Sequence, residues 1–373
     1  MAVGSLASGS LGNLTPNENQ KLQRAWIHLL RLCGIKNFES ALAPDSTPDI
    51  SSELMHHLHD TSSESFRRNL WGFILAEHPD SLILRFLRAR KWDVEKAMIM
   101  LVSAINWRDE IRMAETVIHD GENVGLKENP SADDQGFIAQ YCSGKSYVRG
   151  TDKENRLIYV IRVWLHDPRV QSMQAMESYV LHNIESLRIL VKPPNDKCCL
   201  IFDMTGFGLK NMDFHIVKFL VSVFEARYPE TLGLVLIHNA PFGWLDPVIA
   251  SKINFTRKPA DLLRFISEES LQTSYGGKDS WEYTYVEPVP GENARLEKSE
   301  KRREIQKERN ELICDFERVT AAWASLEPES PAGNEKGSRR SELADQLSVS
   351  YWKLDPYIRA KTYYHRVGML NDI

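Results

Sequence analysis

Hydrophobic positions recur with two different periods along this chain, and the change of period divides it. Over residues 18–32, Leu22, Trp26, Leu29 and Leu30 form one stripe and predict a short helix. A helical block is predicted next, over residues 65–77, 80–90 and 94–112. In its last helix Val94, Ala97, Met98, Leu101 and Ile105 recur at helical spacing behind Asp93, a good N-cap residue. Three short helices of this kind make a small bundle. From residue 135 the pattern changes. Residues 145–149 and 157–164 alternate like paired strands around a hairpin loop at 151–156. A helix over 173–191 presents Met173, Met176, Val180, Ile184, Leu187 and Val191 on one face. Residues 197–204 read as a buried strand, 213–227 as a very apolar helix, and the run from Leu232 to Ile237 as a strand buried on both faces. A new helix is predicted from Leu245, with Asp246 as its cap and Pro247 as its first residue. A short strand is predicted near residues 263–266. Strands alternating with helices predict an α/β sheet with parallel members.

The ends of the chain read differently. Small and polar residues over 1–17 predict disorder, and a Ser-, Asp- and Pro-rich stretch at 40–52 a connector. Residues 291–323 form a charged helix in which Leu312, Phe316, Val319 and Trp323 share a face, so its second half must pack against something. Pro, Gly and Ser at 327–341 read as a linker. Asp355-Pro356 then starts a last short helix carrying Tyr357, Tyr363 and Tyr364.

Composition narrows the function classes. A chain of 373 residues has ample length for a real core, and a formal charge of −5 argues against a general nucleic-acid binder. The five cysteines are scattered; Cys198 and Cys199 are adjacent in a strand, point to opposite faces and are poorly placed to pair, so a reducing compartment is expected. The first residues lack the basic start and apolar core of a signal peptide, and no run approaches 18 apolar residues, so membrane contact is expected to be peripheral.

Catalytic and metal motifs do not assemble. Thr205-Gly-Phe-Gly-Leu-Lys-Asn211 lacks the third glycine of a dinucleotide fingerprint and reads as a tight strand-to-helix turn. Ser143-Gly-Lys-Ser146 has Ala139 where a phosphate loop needs glycine, which leaves Lys145 on a hairpin strand. His56, His57 and His59 beside Glu53 and Asp60 have no second ligand cluster, and no metal is expected. Two signals are left. Four cations (Arg85, Arg88, Arg90, Lys91) interleave with Leu84, Phe86, Leu87 and Trp92, as either a solvated basic face or a site. The helices at 173–191 and 213–227 carry surplus apolar residues, as either ordinary core or the wall of a cavity.

Several segments together resemble the CRAL-TRIO lipid-binding family, in its fungal secretory phosphatidylinositol-transfer branch. They are ILRFLRARKWDVEKA at 83–97, GTDKENR at 150–156, FDMTGFGLKNMD at 202–213, YPETLG at 228–233, HNAP at 238–241, LDPVIASKI at 245–253 and YGGKD at 275–279. The similarity runs over roughly residues 60–290 in the family's order, and WKLDPYIRA at 352–360 is similar to one filamentous-fungal subgroup. The resemblance implies an N-terminal extension (1–60, partly disordered), a helical domain (61–115), an α/β lipid-binding domain with a mostly parallel sheet and an apolar cavity (133–288), and a charged helical tail (289–373). It implies that the headgroup of a phosphatidylinositol meets Arg90, Glu230 and Lys252. Phe202, Phe219, Val223, Phe242, Trp244 and Ile249 are the cavity and lid residues it implies.

The implied function is phospholipid binding and exchange between membranes, with phosphatidylinositol favoured and no covalent chemistry. The ligand is then the bound phospholipid, with no cofactor, metal or nucleic-acid partner, in a cytoplasmic monomer that visits membranes peripherally. The alternative is a sensor or scaffold that holds lipid, or a sterol, without transferring it and regulates phosphoinositide metabolism or membrane traffic. One departure favours the alternative. Between HNAP and LDP this chain has only Phe242-Gly243-Trp244, where the family carries about ten further residues, or roughly three helical turns of lid.

Overall fold

The structure, a computed structural model, describes residues 7–35, 54, 61–193, 195–241 and 253–370. Local chemistry sets the first helices. Helix α1 (Pro16–Leu32) opens with a reciprocal cap: Thr15 Oγ1 accepts from Glu18 N at 3.3 Å and the Glu18 carboxylate accepts from Thr15 N at 2.8 Å. Ser62, His78 and Asp93 cap α2 (Ser63–Ile74), α3 (Pro79–Ala89) and α4 (Val94–Glu110). The expected disorder over 1–17 does not extend to residues 7–17. Gly9 accepts from Arg88 Nη1 through its carbonyl at 2.9 Å, and its Cα sits so close to Trp92 that a Cβ would lie 2.9 Å from the indole.

After α5 (Ala132–Cys142) come β1 (Ser146–Thr151) and β2 (Leu157–Arg162), an antiparallel pair. Helix α6 (Met173–Leu190) crosses to β3 (Cys198–Asp203), and α7 (Phe214–Ser222), extended by a π turn over Val223–Arg227, crosses to β4 (Leu232–His238). With β5 (Ile253–Thr256) these strands form one sheet in the order β1-β2-β3-β4-β5, parallel from β2 onward. Cys198 and Cys199 do face opposite sides, one in each of two cores flanking the sheet.

The short strand expected at 263–266 is not formed. Asp261 and Leu262 end a single helical turn, α8 (Pro259–Leu262), Ile266 makes only an isolated bridge to Asp152, and the fifth strand is β5. Four residues cannot display a period, so pairing with β4 (Val235↔Ile253 through His238↔Thr256) is what defines it. Strand β4 is buried on one face only. Leu234, Leu236 and His238 are buried, whereas Val235 and Ile237 are half-buried.

The linker expected at 327–341 is mostly helix. After α9 (Ser299–Ala324), Ser330 caps α10 (Pro331–Leu354), with Pro331 at its first position. Both helices pack on the N-terminal bundle. Phe316 lies 5.5 Å from Trp26 and 5.7 Å from Trp71 between ring centroids, and all three belong to one core. The bland stripe at 312–323 thus finds its partner at the other end of the chain. Asp355-Pro356 opens a 3-10 turn (Asp355–Tyr357), and Tyr363 starts a separate helix α11 (Tyr363–Arg366), where the sequence suggested one helix. Tyr364 Oη accepts from Val148 N at 3.1 Å, which occupies an N–H of the edge strand β1.

Candidate functional site

Helix α7 carries His215, Lys218 and Ser222 on one side and apolar residues around the rest. Phe219 and Val223, expected at the cavity, pack into the helical core and are not among the side chains that line the cavity beside the sheet. Val217, Leu220, Val221 and Phe224 face the sheet residues Ile161, Leu200, Phe202, Val235 and Ile237 across that cavity, of about 740 Å³. That space is why the outer face of β4 is only half-buried. The volume is typical of a ligand site. Phe202 is among its lining residues.

Arg90 and Glu230 lie on the wall of the same cavity. Arg90 is the C-cap of α3, held there because Lys91 and Trp92 turn left-handed (φ 51° and 65°) and Trp92 N–H reaches back to Leu87 O at 2.7 Å. Its side chain is exposed, whereas its neighbours in the basic stripe are not available: Arg85 is buried on Glu77 at 2.6 Å and Arg88 is paired with Asp196 at 2.5 Å. Half of the stripe is structural. Glu230 also adopts a left-handed conformation, φ 57°, which is costly for a residue with a side chain and marks a segment fixed by its surroundings.

What fixes it is Tyr228, two residues before. Its hydroxyl donates to Glu185 at 2.7 Å inside a buried ionic network, with Arg108 on Glu185 at 2.6 Å, Arg188 on Glu185 at 3.2 Å and Arg188 on Glu77 at 3.0 Å. Burial alone raises the Glu185 pKa, but the Arg108 and Arg188 guanidiniums outweigh it and hold the carboxyl far below the usual range. The network ties the helical bundle to α6 and to the segment that carries Glu230.

Lys197 stands beside Glu230, with Nζ 3.3 Å from Glu230 Oε2, and sequence reasoning missed it. Its signal is in the strand register: Cys198 pairs with Leu232, which brings the residues just before both strands together. Lys252, Phe242, Trp244 and Ile249 lie outside the described residues, as do His56, His57 and His59. The HNAP and FDMTG motifs act structurally here: Asn239 Nδ2 donates to Thr205 Oγ1 at 2.8 Å, and Asn239 N to Thr256 O at 2.9 Å.

No group of three or more metal-ligating side chains occurs among the described residues, and no helix among them is long and apolar enough to cross a membrane. A mostly apolar chamber with Arg90 and Glu230 on its wall can shelter hydrocarbon while bonding a polar, phosphorylated head.

The CRAL/TRIO domain family matches residues 141–277, and the CRAL/TRIO N-terminal domain matches residues 50–103. A CRAL-TRIO domain-containing protein of Schizosaccharomyces pombe is 32% identical over 97% of this chain and 92% of its own length. The phosphatidylinositol transfer protein CSR1 of Eremothecium gossypii is 36% identical over 85% of this chain and 74% of its own. A SEC14 cytosolic factor of Yarrowia lipolytica is 29% identical over 54% of this chain and 44% of its own.

Proposed function

This chain belongs to the CRAL-TRIO family, and from that premise we propose that it binds one phospholipid, with phosphatidylinositol preferred, and exchanges it between membranes. The observation that carries this reading is the cavity between α7 and the sheet, lined mostly by apolar side chains, with Arg90 and Glu230 on its wall and Lys197 paired to Glu230. Exposing two acyl chains of about 16 carbons to water costs roughly 25 kcal/mol at ~0.8 kcal/mol per CH₂. A carrier must cover nearly all of that surface. The phosphodiester would take charge-assisted bonds from Arg90 and Lys252, and Glu230, oriented by Lys197, would accept from inositol hydroxyls. Exposed Leu209 and Phe214, just before and at the start of α7, give the molecule apolar side chains with which to meet a bilayer.

Mass spectrometry of lipid co-purifying with the folded chain should find phosphatidylinositol. Labelled phosphatidylinositol should move between vesicles, and Glu230→Ala and Lys252→Ala should each slow that movement by roughly tenfold or more. Unchanged transfer in both variants would remove these residues from the site. The short segment between HNAP and LDP favours a second reading, a lipid sensor. Lipid that is bound but exchanged no faster than a blank would establish it.

A further inference from the structure

Beside the large cavity lies a second, smaller one of about 140 Å³, enclosed by α6, α7 and the first three strands. The two share Ile161, Phe202, Val217 and Leu220 as walls. The small cavity is almost wholly apolar, yet the ammonium-bearing Lys145 lines it at 3% exposure. An ammonium has three N–H donors. Among the described residues, Lys145 Nζ makes one hydrogen bond, to His166 Nδ1 at 3.1 Å.

A relay holds this group in place. With Nδ1 accepting from the ammonium, His166 Nε2 carries the proton and donates to Asp213 Oδ2 at 3.0 Å. Asp213 is itself fixed as the N-cap of α7, where Oδ1 accepts from Ile216 N at 3.1 Å. Next to the lysine stands a hydroxyl cluster, with Ser146 Oγ 2.7 Å from Tyr179 Oη and 2.9 Å from Tyr159 Oη. A buried cation with two unused donors, pinned from behind by a helix cap, is costly unless an anionic oxygen sits against it.

We propose that this inner pocket binds the anionic head, carboxylate or phosphate, of a single-chain amphiphile whose tail extends past Phe202 into the large cavity. The inference rests on the large cavity's being a hydrocarbon site. It assigns that cavity an anchoring point away from the Arg90 and Glu230 rim, so a fatty acid or a lysophosphatidate competes there with the phospholipid.

Oleate, oleoyl lysophosphatidate and the neutral oleyl alcohol supply the probes, measured below their aggregation concentrations on the full chain freed of lipid. One or both anions should bind more tightly than the alcohol. Lys145→Met should weaken anion binding by roughly tenfold or more and leave the alcohol unchanged. The anion that responds identifies the head.

The native chain gives an independent reading. Burial lowers the Lys145 pKa to about 8, against the opposing pull of Asp213 and Asp167. Arg162, Tyr159, Tyr179 and His166 also face the pocket. Burial pushes both tyrosines up, and burial, with Lys145 next, lowers His166, so of these three and the lysine, the lysine alone changes charge between pH 7 and 9.5. Anion affinity should therefore fall across that range. Equal binding of anions and alcohol, or anion affinity indifferent to both the substitution and pH, overturns the inference. Phosphatidylinositol transfer is followed in parallel. Transfer with no lysine-dependent anion binding sinks the inference alone, and lysine-dependent binding without transfer sinks only the transfer reading.

Discussion

At the scale of single residues, stability depends on charges that were buried in pairs. Glu185 is fully buried between Arg108 and Arg188, and Glu185→Gln should cost about 3–5 kcal/mol in denaturant unfolding because Arg108 loses its counter-charge and Arg188 keeps only Glu77. Acid should act in the same direction. The carboxyl's folded pKa lies below its unfolded value, so its contribution is complete above about pH 4.3 and is lost as pH falls below that. Burial, with Arg359 next, pushes His182 down to about 3, and burial, with Arg31 next, pushes His28 to about 4. Their unfolded forms take up protons near pH 6.5 that the folded forms refuse, so stability also falls from pH 6.5 downward. The urea midpoint, followed by tryptophan fluorescence, should decline steadily from pH 7 to pH 4; a flat profile contradicts these assignments. Arg90 and Glu230 were legible as candidates because each stands in a recognisable local motif. Lys197 carries no such mark, because its place beside Glu230 depends on strand register. Phe219 and Val223, read from the sequence as cavity residues, pack into the helical core, and the apolar arc of α7 is too wide to show which part of it meets a cavity.

At the scale of elements, periodic segments were legible and unperiodic ones were not. The helices from α1 to α4 and strands β1 to β4 lie within a few residues of where the pattern predicts them. Strand β5 was invisible because it is short and defined by its neighbour. Helix α10 was mistaken for a linker because Pro, Gly and Ser usually interrupt structure, whereas Ser330 and Pro331 here begin it. What α10 does is also a matter of long-range geometry. Arg340 donates to both Asp80 oxygens, at 2.9 and 2.6 Å, and Trp26 Nε1 donates to Asp80 at 2.6 Å. Removing the cation leaves a fully buried carboxylate with one neutral donor. Arg340→Met should therefore destabilise the chain by about 3–5 kcal/mol, while Arg339→Met, whose partner Glu342 is exposed, should change it by less than about 1 kcal/mol. Equal midpoints for the two variants would show that α10 is not anchored through this pair.

At the scale of the whole molecule, the N-terminal bundle is a joint product of the first and last parts of the chain. Glu317 of α9 accepts from Arg67 at 2.7 Å and from Trp71 at 2.9 Å, and Gln23 of α1 donates to the carbonyl of Trp323 at 2.9 Å. A chain cut after residue 298 should expose Trp26 and Trp71. It should lose cooperative unfolding of the helical part, seen as a broadened thermal transition by circular dichroism. A sharp transition at the full-length temperature would show the bundle to be self-sufficient. The resemblance that reads residues 60–290 as the working unit leaves this dependence out, because family motifs mark ligand contacts and turns, not the packing of the ends. The same arrangement sets an order of events during translation. Asp80 and Arg340 are 260 residues apart, so at about 5–20 residues per second the ribosome delivers the arginine on the order of 10–50 s after the aspartate. From the completion of β5 until the arginine is made, the nascent chain carries the whole sheet but an open, tryptophan-lined bundle, which makes this half the segment that a chaperone must guard until synthesis ends.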